Sequence, residues 1–294
     1  MNDNTLNTAK KREKTELILS NIYNLPAMPK VMLEVYSLLE KPNLSAIELS
    51  KVIGQDQALV SKILTIANSP LYGLPRKVST IDFAILIIGF NDIKNIVTAL
   101  SLIDTFKNKT DSNLNQMDFW IHSIVAGSSA KRIAEDLGYK IAGEAFVAAL
   151  LHDLGIPVIH KYFHSSFVEI KEKAGTTEKS FMQVEKEVLG MTHEEIGRFL
   201  IKKWNLPIGL VDAIGNHHNP TNSREDVILT SLIHLADYMT CYFVNRDFYW
   251  DKGLEMHPKL YETLRFSTEK HLMNFIENYK DLCSIQAELL KGLV

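Results

Sequence analysis

The chain has 294 residues, 46% of them apolar and 23% charged, enough to bury the core of one large domain or two modest ones. Its 32 lysines and arginines against 35 aspartates and glutamates leave a net charge of −3, which excludes polyanion binding driven by overall charge. Two cysteines, Cys241 and Cys283, exclude a disulfide framework and fit a reducing compartment. The opening MNDNTLNTAKKREK has no apolar leader. No apolar run reads as the roughly 20 residues of a spanning helix, so a cytoplasmic protein with no membrane contact is expected.

Residues 1–14 are polar and without apolar periodicity, and read as a disordered tail with a small basic cluster at Lys10, Lys11, Arg12 and Lys14. Residues 15–110 read as a smaller N-terminal helical lobe. Leu17, Ile18 and Ile22 lead into Leu25-Pro26-Ala27-Met28-Pro29, where prolines end one helix and admit the next. Ser45 stands three before Glu48, a capping box for the helix through Ile53. Ala58–Ala67, Ser79–Phe90 and Ile93–Phe106 follow as helices, with Asn68-Ser69-Pro70, Gly73 and Pro75 as punctuation. The polar stretch Lys107–Asn113 is the best internal boundary. Beyond it, helical spacing recurs over 117–137, 141–160, 164–174, 178–189, 193–204, 207–218 and 224–245, with a helical extension over 246–294. Period-two alternation and hairpin turns are lacking. An all-α chain is expected, its smaller lobe packed on a larger one spanning 111–245.

All ten histidines lie at or after His122. The informative order is His122, His152-Asp153, His193, His217-His218 and Asp237. Imidazole and carboxylate together suit zinc, iron, manganese or nickel. Side chains of an adjacent His-Asp pair on a helix point about 100° apart, so one can hold one metal while the carboxylate reaches a second. Gly143, Ala145, Ala148, Ala149 and Gly155 allow close helix approach there. Asp118, one turn before His122, is either an outer partner, an extra ligand or part of a helix start. Thr192 and Glu195 form a capping box that places His193 in a first helical turn. Asp237 sits in an apolar helix, where an unpaired carboxylate is costly. His234 is a reserve ligand on the same face, whereas His160, His164, His257 and His271 carry no pattern.

These residues resemble the HD superfamily, whose phosphohydrolases hold one or two metals with an ordered His, His-Asp and Asp set. Residues 20 to about 240 resemble an HDOD domain, a bacterial HD-related output module. The resemblance rests on Leu25–Pro29, Ile53-Gly54-Gln55-Asp56, Ala67-Asn68-Ser69, Ile81–Ile85, Leu150-Leu151-His152-Asp153-Leu154-Gly155 and Trp204-Asn205-Leu206-Pro207. It implies an all-α HDOD fold and a signalling role, with His122, His152, Asp153 and Asp237 in the minimal metal set. His193, His217 and His218 are similar to the additional histidines of HD-GYP cyclic-dinucleotide phosphodiesterases. Two departures separate the chain from those enzymes: Ile156 stands where they carry a phosphate-contacting lysine, and no Gly-Tyr-Pro follows His218.

Three functions compete. The first is a regulatory module with a bound divalent transition metal (one or two ions of Fe, Mn, Zn or Ni), acting through a protein partner or a small phosphorylated or cyclic-nucleotide ligand. The second is a metal-dependent phosphohydrolase, with Asp153, His217 and His218 as candidate catalytic groups and Lys131, Arg132 and Lys161 as the nearest cations in sequence. The third is DNA binding by a helix-turn-helix over Glu48–Leu64. Its recognition segment offers Lys62 as its cation, so nucleic acid is not expected as a partner.

Overall fold

The computed structural model describes residues 3–21, 30–39, 41–104, 111–244 and 246–291, and among them there are helices and no strand. The N-terminal part comprises α1 (Asp3–Asn21), α2 (Lys30–Leu39), α3 (Ala46–Ile53), α4 (Gln57–Ala67), α5 (Ile81–Ile88) and α6 (Phe90–Asp104). The larger part comprises α7 (Gln116–Asp136), α8 (Ala142–Leu151), α9 (Gly155–Tyr162), α10 (His164–Thr176), α11 (Phe181–Leu189), α12 (His193–Lys203), α13 (Ile208–Ile214) and α14 (Val227–Phe243). Then come α15 (Leu260–Thr263), α16 (Glu269–Glu277) and α17 (Lys280–Lys291). The Leu25–Pro29 motif and residues 107–110 of the expected boundary lie outside the described residues.

Local chemistry sets the helix ends. Both expected capping boxes form: Ser45 with Glu48 at α3, and Thr192 with Glu195 at α12. Asn115 caps α7, accepting from the Met117 and Asp118 amides, and Asp226 caps α14 through the Leu229 amide. The Asn68 side chain accepts from the Val78 amide and donates to the Val78 and Leu64 carbonyls, tying the chain after α4 back onto that helix.

Three expectations need correction. Residues 3–14, expected to be disordered, belong to α1. Their polar composition hides a docked helix because the contacts are specific rather than apolar. Arg12 pairs with Glu195 at 2.6 Å, Lys11 donates to the Glu187 carbonyl at 2.5 Å, and the buried Thr15 hydroxyl donates to Leu189 O at 2.7 Å. The helix expected over 141–160 is two helices, because the chain turns through His152, Asp153 and Leu154 with tight Leu154 N–Leu151 O and Ile156 N–Asp153 O bonds. Finally, Ala142–Tyr162 is by length and composition apolar enough to cross a membrane, yet 83% of its most apolar window is buried inside the fold.

α7 and α8 pack most extensively, and α14 lies against both. Gly127 makes the first contact possible: a Cβ there would sit 3.1 Å from Phe146 O and 3.2 Å from Leu150 Cβ. Gly155 is placed under a tighter demand. A Cβ on it would lie 2.1 Å from the His193 carbonyl oxygen, so only glycine lets the start of α12 reach the turn after α8. Those three helices and that turn bring the distant histidines together.

Candidate metal centre

α7 presents His122 inward, α14 presents Asp237, and the turn after α8 presents His152 and Asp153. His193 is the first residue of α12, and His217-His218 follow the end of α13. Their side chains converge inside the bundle, 0% exposed apart from His218 at 9%.

The convergence has two halves. In the first, His122 Nε2 lies 3.2 Å from His152 Nε2, 3.3 Å from Asp153 Oδ2 and 3.2 Å from Asp237 Oδ1. In the second, His193 Nε2 lies 3.0 Å from His218 Nε2, and Asp153 Oδ1 lies 3.5 Å from His193 and 3.6 Å from His217. Asp153 therefore turns one oxygen to each half. A second carboxylate does the same: Asp251 Oδ2 is 3.6 Å from His122 Nε2, and its Oδ1 is 3.6 Å from His218 Nε2.

The outer contacts fix which ring nitrogen faces inward. His152 Nδ1 meets Ala149 O at 2.6 Å and His217 Nδ1 meets Ile214 O at 2.7 Å. A carbonyl can only accept, so both rings carry a proton on Nδ1 and turn Nε2 toward the centre. His193 Nδ1 meets Glu185 Oε2 at 2.9 Å, and the same oxygen accepts the His193 amide at 2.9 Å. Glu194 accepts the His218 amide. Rings oriented in this way, with Nε2 groups aimed at one point, are what a metal ligand set requires.

Charge supplies the second argument. Burial pushes the Asp153 and Asp237 carboxyls up, but His152 and His122 outweigh it and hold both well below the usual range. Conversely, burial opposes charging His122 and His152, and the same carboxylates raise both. His193 is lifted to about 9 by Glu185 against its burial. Burial raises the Asp251 carboxyl, and Asp153 and Asp237 raise it further. Burial lowers His218, and His217 and His193 lower it further. Ring protons here do the work of missing positive charge, since among the described residues Asp153 and Asp237 face histidines and no lysine or arginine. Asp153 Oδ1, Asp237 Oδ2, His217 Nε2 and both Asp251 oxygens are buried without a hydrogen-bond partner. Divalent cations satisfy those atoms and the charge together. The residues present thus fit one or two metal ions.

All seven expected ligands are brought together, but other expectations differ. Asp118 is turned away, paired with Arg246 and bonded to the Asn115 amide. His234 is a brace and not a ligand: its Nδ1 donates to His217 O at 2.8 Å and its Nε2 accepts from the His257 amide at 3.0 Å, with burial lowering its pKa to about 4. Lys131 is engaged by Asp92 and Glu135, and Arg132 by Asp136. Lys62, the cation of the DNA-binding reading, lies over the Trp120 ring at 4.3 Å.

Sequence reasoning missed Asp251, Trp250, Glu185 and Glu194. Trp250 Nε1 donates to Asp153 Oδ2 at 2.7 Å, and its ring and that of Phe248 stand edge-on to His122. No spacing pattern announced them, because Glu185, Glu194 and the Trp250-Asp251 pair come from three separate elements. His160 and His164 also proved to be joined: both reach Asp111, at 2.9 and 2.6 Å, as a group separate from the main cluster. Their four-residue spacing was a signal that could have been read.

The HDOD domain family profile matches residues 25–220. A crystal structure of an HDOD domain protein of unknown function from Geobacter sulfurreducens superposes with TM-score 0.75 at 25% identity, covering 96% of this chain and 98% of that one. A candidate phosphohydrolase from Shewanella amazonensis (TM-score 0.70, 21% identity, 93% and 97% coverage) has the same fold. So does a candidate signal transduction protein from Marinobacter aquaeolei (TM-score 0.70, 21% identity, 97% and 66% coverage). An uncharacterized protein of Treponema pallidum is 24% identical over 210 residues, or 71% of this chain, which spans 40% of that relative's length. With two thirds of its length matched by the profile and its helices arranged as in these structures, the chain belongs to the HDOD domain family.

Proposed function

We propose that the chain is a signal-transduction module that holds one or two divalent transition-metal ions in a closed centre and acts through binding, not turnover. The protein's own groups would supply the ligands: His122, His152, Asp153 and Asp237 for one ion, and Asp153, His193, His217 and His218 for the other. The metal would neutralise the buried carboxylates and lock five helical elements together.

The observation that carries this reading is enclosure. The ligand set is buried, Trp250 covers Asp153, and no lysine or arginine among the described residues pairs with the centre's carboxylates. A phosphate substrate needs both access and a cationic clamp. Cytoplasmic residence follows as part of the proposal, because Cys241 and Cys283 are free thiols. Output goes to a protein partner or a small phosphorylated or cyclic-nucleotide ligand; the engagement of Lys62 with Trp120 disfavours DNA.

Elemental analysis of untagged protein, followed by a panel of phosphomonoesters, phosphodiesters and nucleotides, tests the proposal. Bound metal with no phosphate or nucleotide release is the expected result. Turnover that disappears in His152→Ala would instead establish the second reading, a metal-dependent phosphohydrolase. One observation favours that alternative: Asp153 faces both halves of the cluster, the arrangement of a carboxylate shared between two catalytic metals.

A further inference from the structure

Asp251 is the residue of the centre that the bundle does not supply. It ends a single 3₁₀ turn, Tyr249–Asp251, in the segment between α14 and α15. This turn lies beyond the stretch matched by the family profile. Its side chain is fully buried, yet neither carboxylate oxygen has a hydrogen-bond partner. No Lys or Arg among the described residues pairs with it; its two oxygens lie 3.6 Å from His122 and from His218, one in each half of the cluster. A carboxylate with two free oxygens straddling two metal subsites has the shape and charge of two oxygens of a phosphate group.

The other side of this turn faces a cavity of about 310 Å³. Asp251 lines that cavity with Arg246, Lys252 and Gly253, and with Cys241 and Phe248, which also touch Asp237 and His122, so a thin wall that includes Asp251 separates the cavity from the metal cluster. The cavity thus has two cations at its wall, Lys252 and the Asp118-paired Arg246, with Asp247 beside them. Gly253 has φ +82, a left-handed conformation that costs glycine little, at the point where the segment leaves the cluster. Few bonds hold the turn inward. Trp250 donates to Asp153, the Tyr249 hydroxyl donates to Asn113 O at 2.9 Å, and short backbone bonds close the turn on itself.

We propose that Asp251 is an internal stand-in for phosphate: a metal-facing carboxylate occupying the place that an oxyanion entering from the Arg246–Lys252 cavity would take. This inference rests on the metal-centre reading above. It assigns the ligand class as a phosphate group and makes Asp251 the residue that determines whether the ligand binds. Charge agrees. Three carboxylates balance most of the charge of two divalent ions, and removing one leaves a surplus suited to a phosphate dianion.

The test compares wild type with Asp251→Asn and Asp251→Ala, each loaded with cobalt(II). Metal content is measured by elemental analysis, and inorganic phosphate is the probe, followed by calorimetry and by the visible cobalt spectrum. The expected result is equal cobalt content in all three, with phosphate binding at least ~10-fold tighter in the variants than in wild type and accompanied by a spectral change. Asp251→Asn keeps the side-chain shape, so it reports even where the alanine variant is poorly folded. Two results would overturn the proposal: phosphate affinity no tighter in the variants than in wild type with the metal retained, or loss of cobalt from Asp251→Asn, which would make Asp251 an obligatory ligand. Failure of wild type to bind cobalt at all would refute the metal-centre reading itself, and the stand-in with it.

Discussion

Glu185 touches no other member of the cluster, yet it holds His193 by two hydrogen bonds from a single buried oxygen, to Nδ1 and to the backbone amide, both 2.9 Å. Replacing it by glutamine keeps the volume but removes the charge, and an amide oxygen is the weaker acceptor for both donors. Loss of such an outer partner costs 10- to 100-fold in metal affinity, about 1.4–2.7 kcal/mol. The loss should be selective. His193 belongs to the half with His217 and His218, whereas His122 and Asp237 have no contact with Glu185. Competition against a chromophoric chelator, with two metal equivalents resolved in wild type, should therefore show one site weakened and the other unchanged in Glu185→Gln. Glu185→Ala should also unfold more easily, because it strands the His193 amide at about 1–3 kcal/mol. Equal affinities at both sites in wild type and Glu185→Gln, or weakening confined to the His122 half, would refute the assignment of His193 as a ligand oriented by Glu185.

Gly155→Ala places a Cβ 2.1 Å from the His193 carbonyl oxygen, backbone against backbone, and should lower stability by about 3 kcal/mol or more; an unshifted urea midpoint would contradict the close approach. Thr15→Val removes a buried hydrogen bond to Leu189 O and should cost about 1 kcal/mol, while Arg12→Ala breaks a half-exposed ion pair and should cost about 0.5 kcal/mol. No effect of either on the melting temperature would mean that α1 is not docked. Asp212 accepts from the Ser223 hydroxyl and the Arg224 and Glu225 amides; burial works against its charge, but these bonds and Arg198 hold its pKa below the ordinary 3.8. Its contribution is present above that value and is lost as pH falls through 3.8 toward the folded value, since the unfolded chain there binds more protons. Metal-free wild type should accordingly exceed Asp212→Asn by about 1–3 kcal/mol at pH 6, and the two melting curves should converge as pH falls below 3.8.

Much of this was legible because the informative residues break a local rule. Asp237 stands in an apolar helix and His152-Asp153 in a run of alanine and leucine, so each needed a partner, and the partners are one another. The helices were legible from spacing, and the caps at Ser45 and Thr192 from residue type. What was hidden follows from distance along the chain. Glu185 is an ordinary acidic residue among polar neighbours and Asp251 follows an aromatic run with no ligand spacing, and only packing shows them buried. α1 was hidden for a related reason: its contacts with α11 and α12 are hydrogen bonds and ion pairs, which leave no apolar stripe. The break at His152 is masked by apolar periodicity that runs straight through Leu-His-Asp-Leu, although Pro157, which has no N–H for the Asp153 carbonyl and sits in the first turn of α9, was a signal for it.

The same two helices that hold the centre also meet the N-terminal part of the chain. α7 carries His122, and two and a half turns later it carries Lys131, which reaches Asp92 on α6 at 3.1 Å. α8 starts at α6, where a Cβ on Gly143 would lie 2.7 Å from Asn95 Nδ2, and ends at His152. Between those ends Ala145 through Leu151 are all buried, so the helix has no free face along which to yield. A displacement of the His152–Asp153 turn must therefore be absorbed either at the α6 contact or in the turn itself. Linkage is reciprocal: if a partner bound against α6 favours one position of α8, it changes metal affinity by the same factor by which the metal changes the partner's. On the proposed reading, a closed centre without turnover would serve signalling on those terms, because its output would be an equilibrium between helix positions and no product would have to leave.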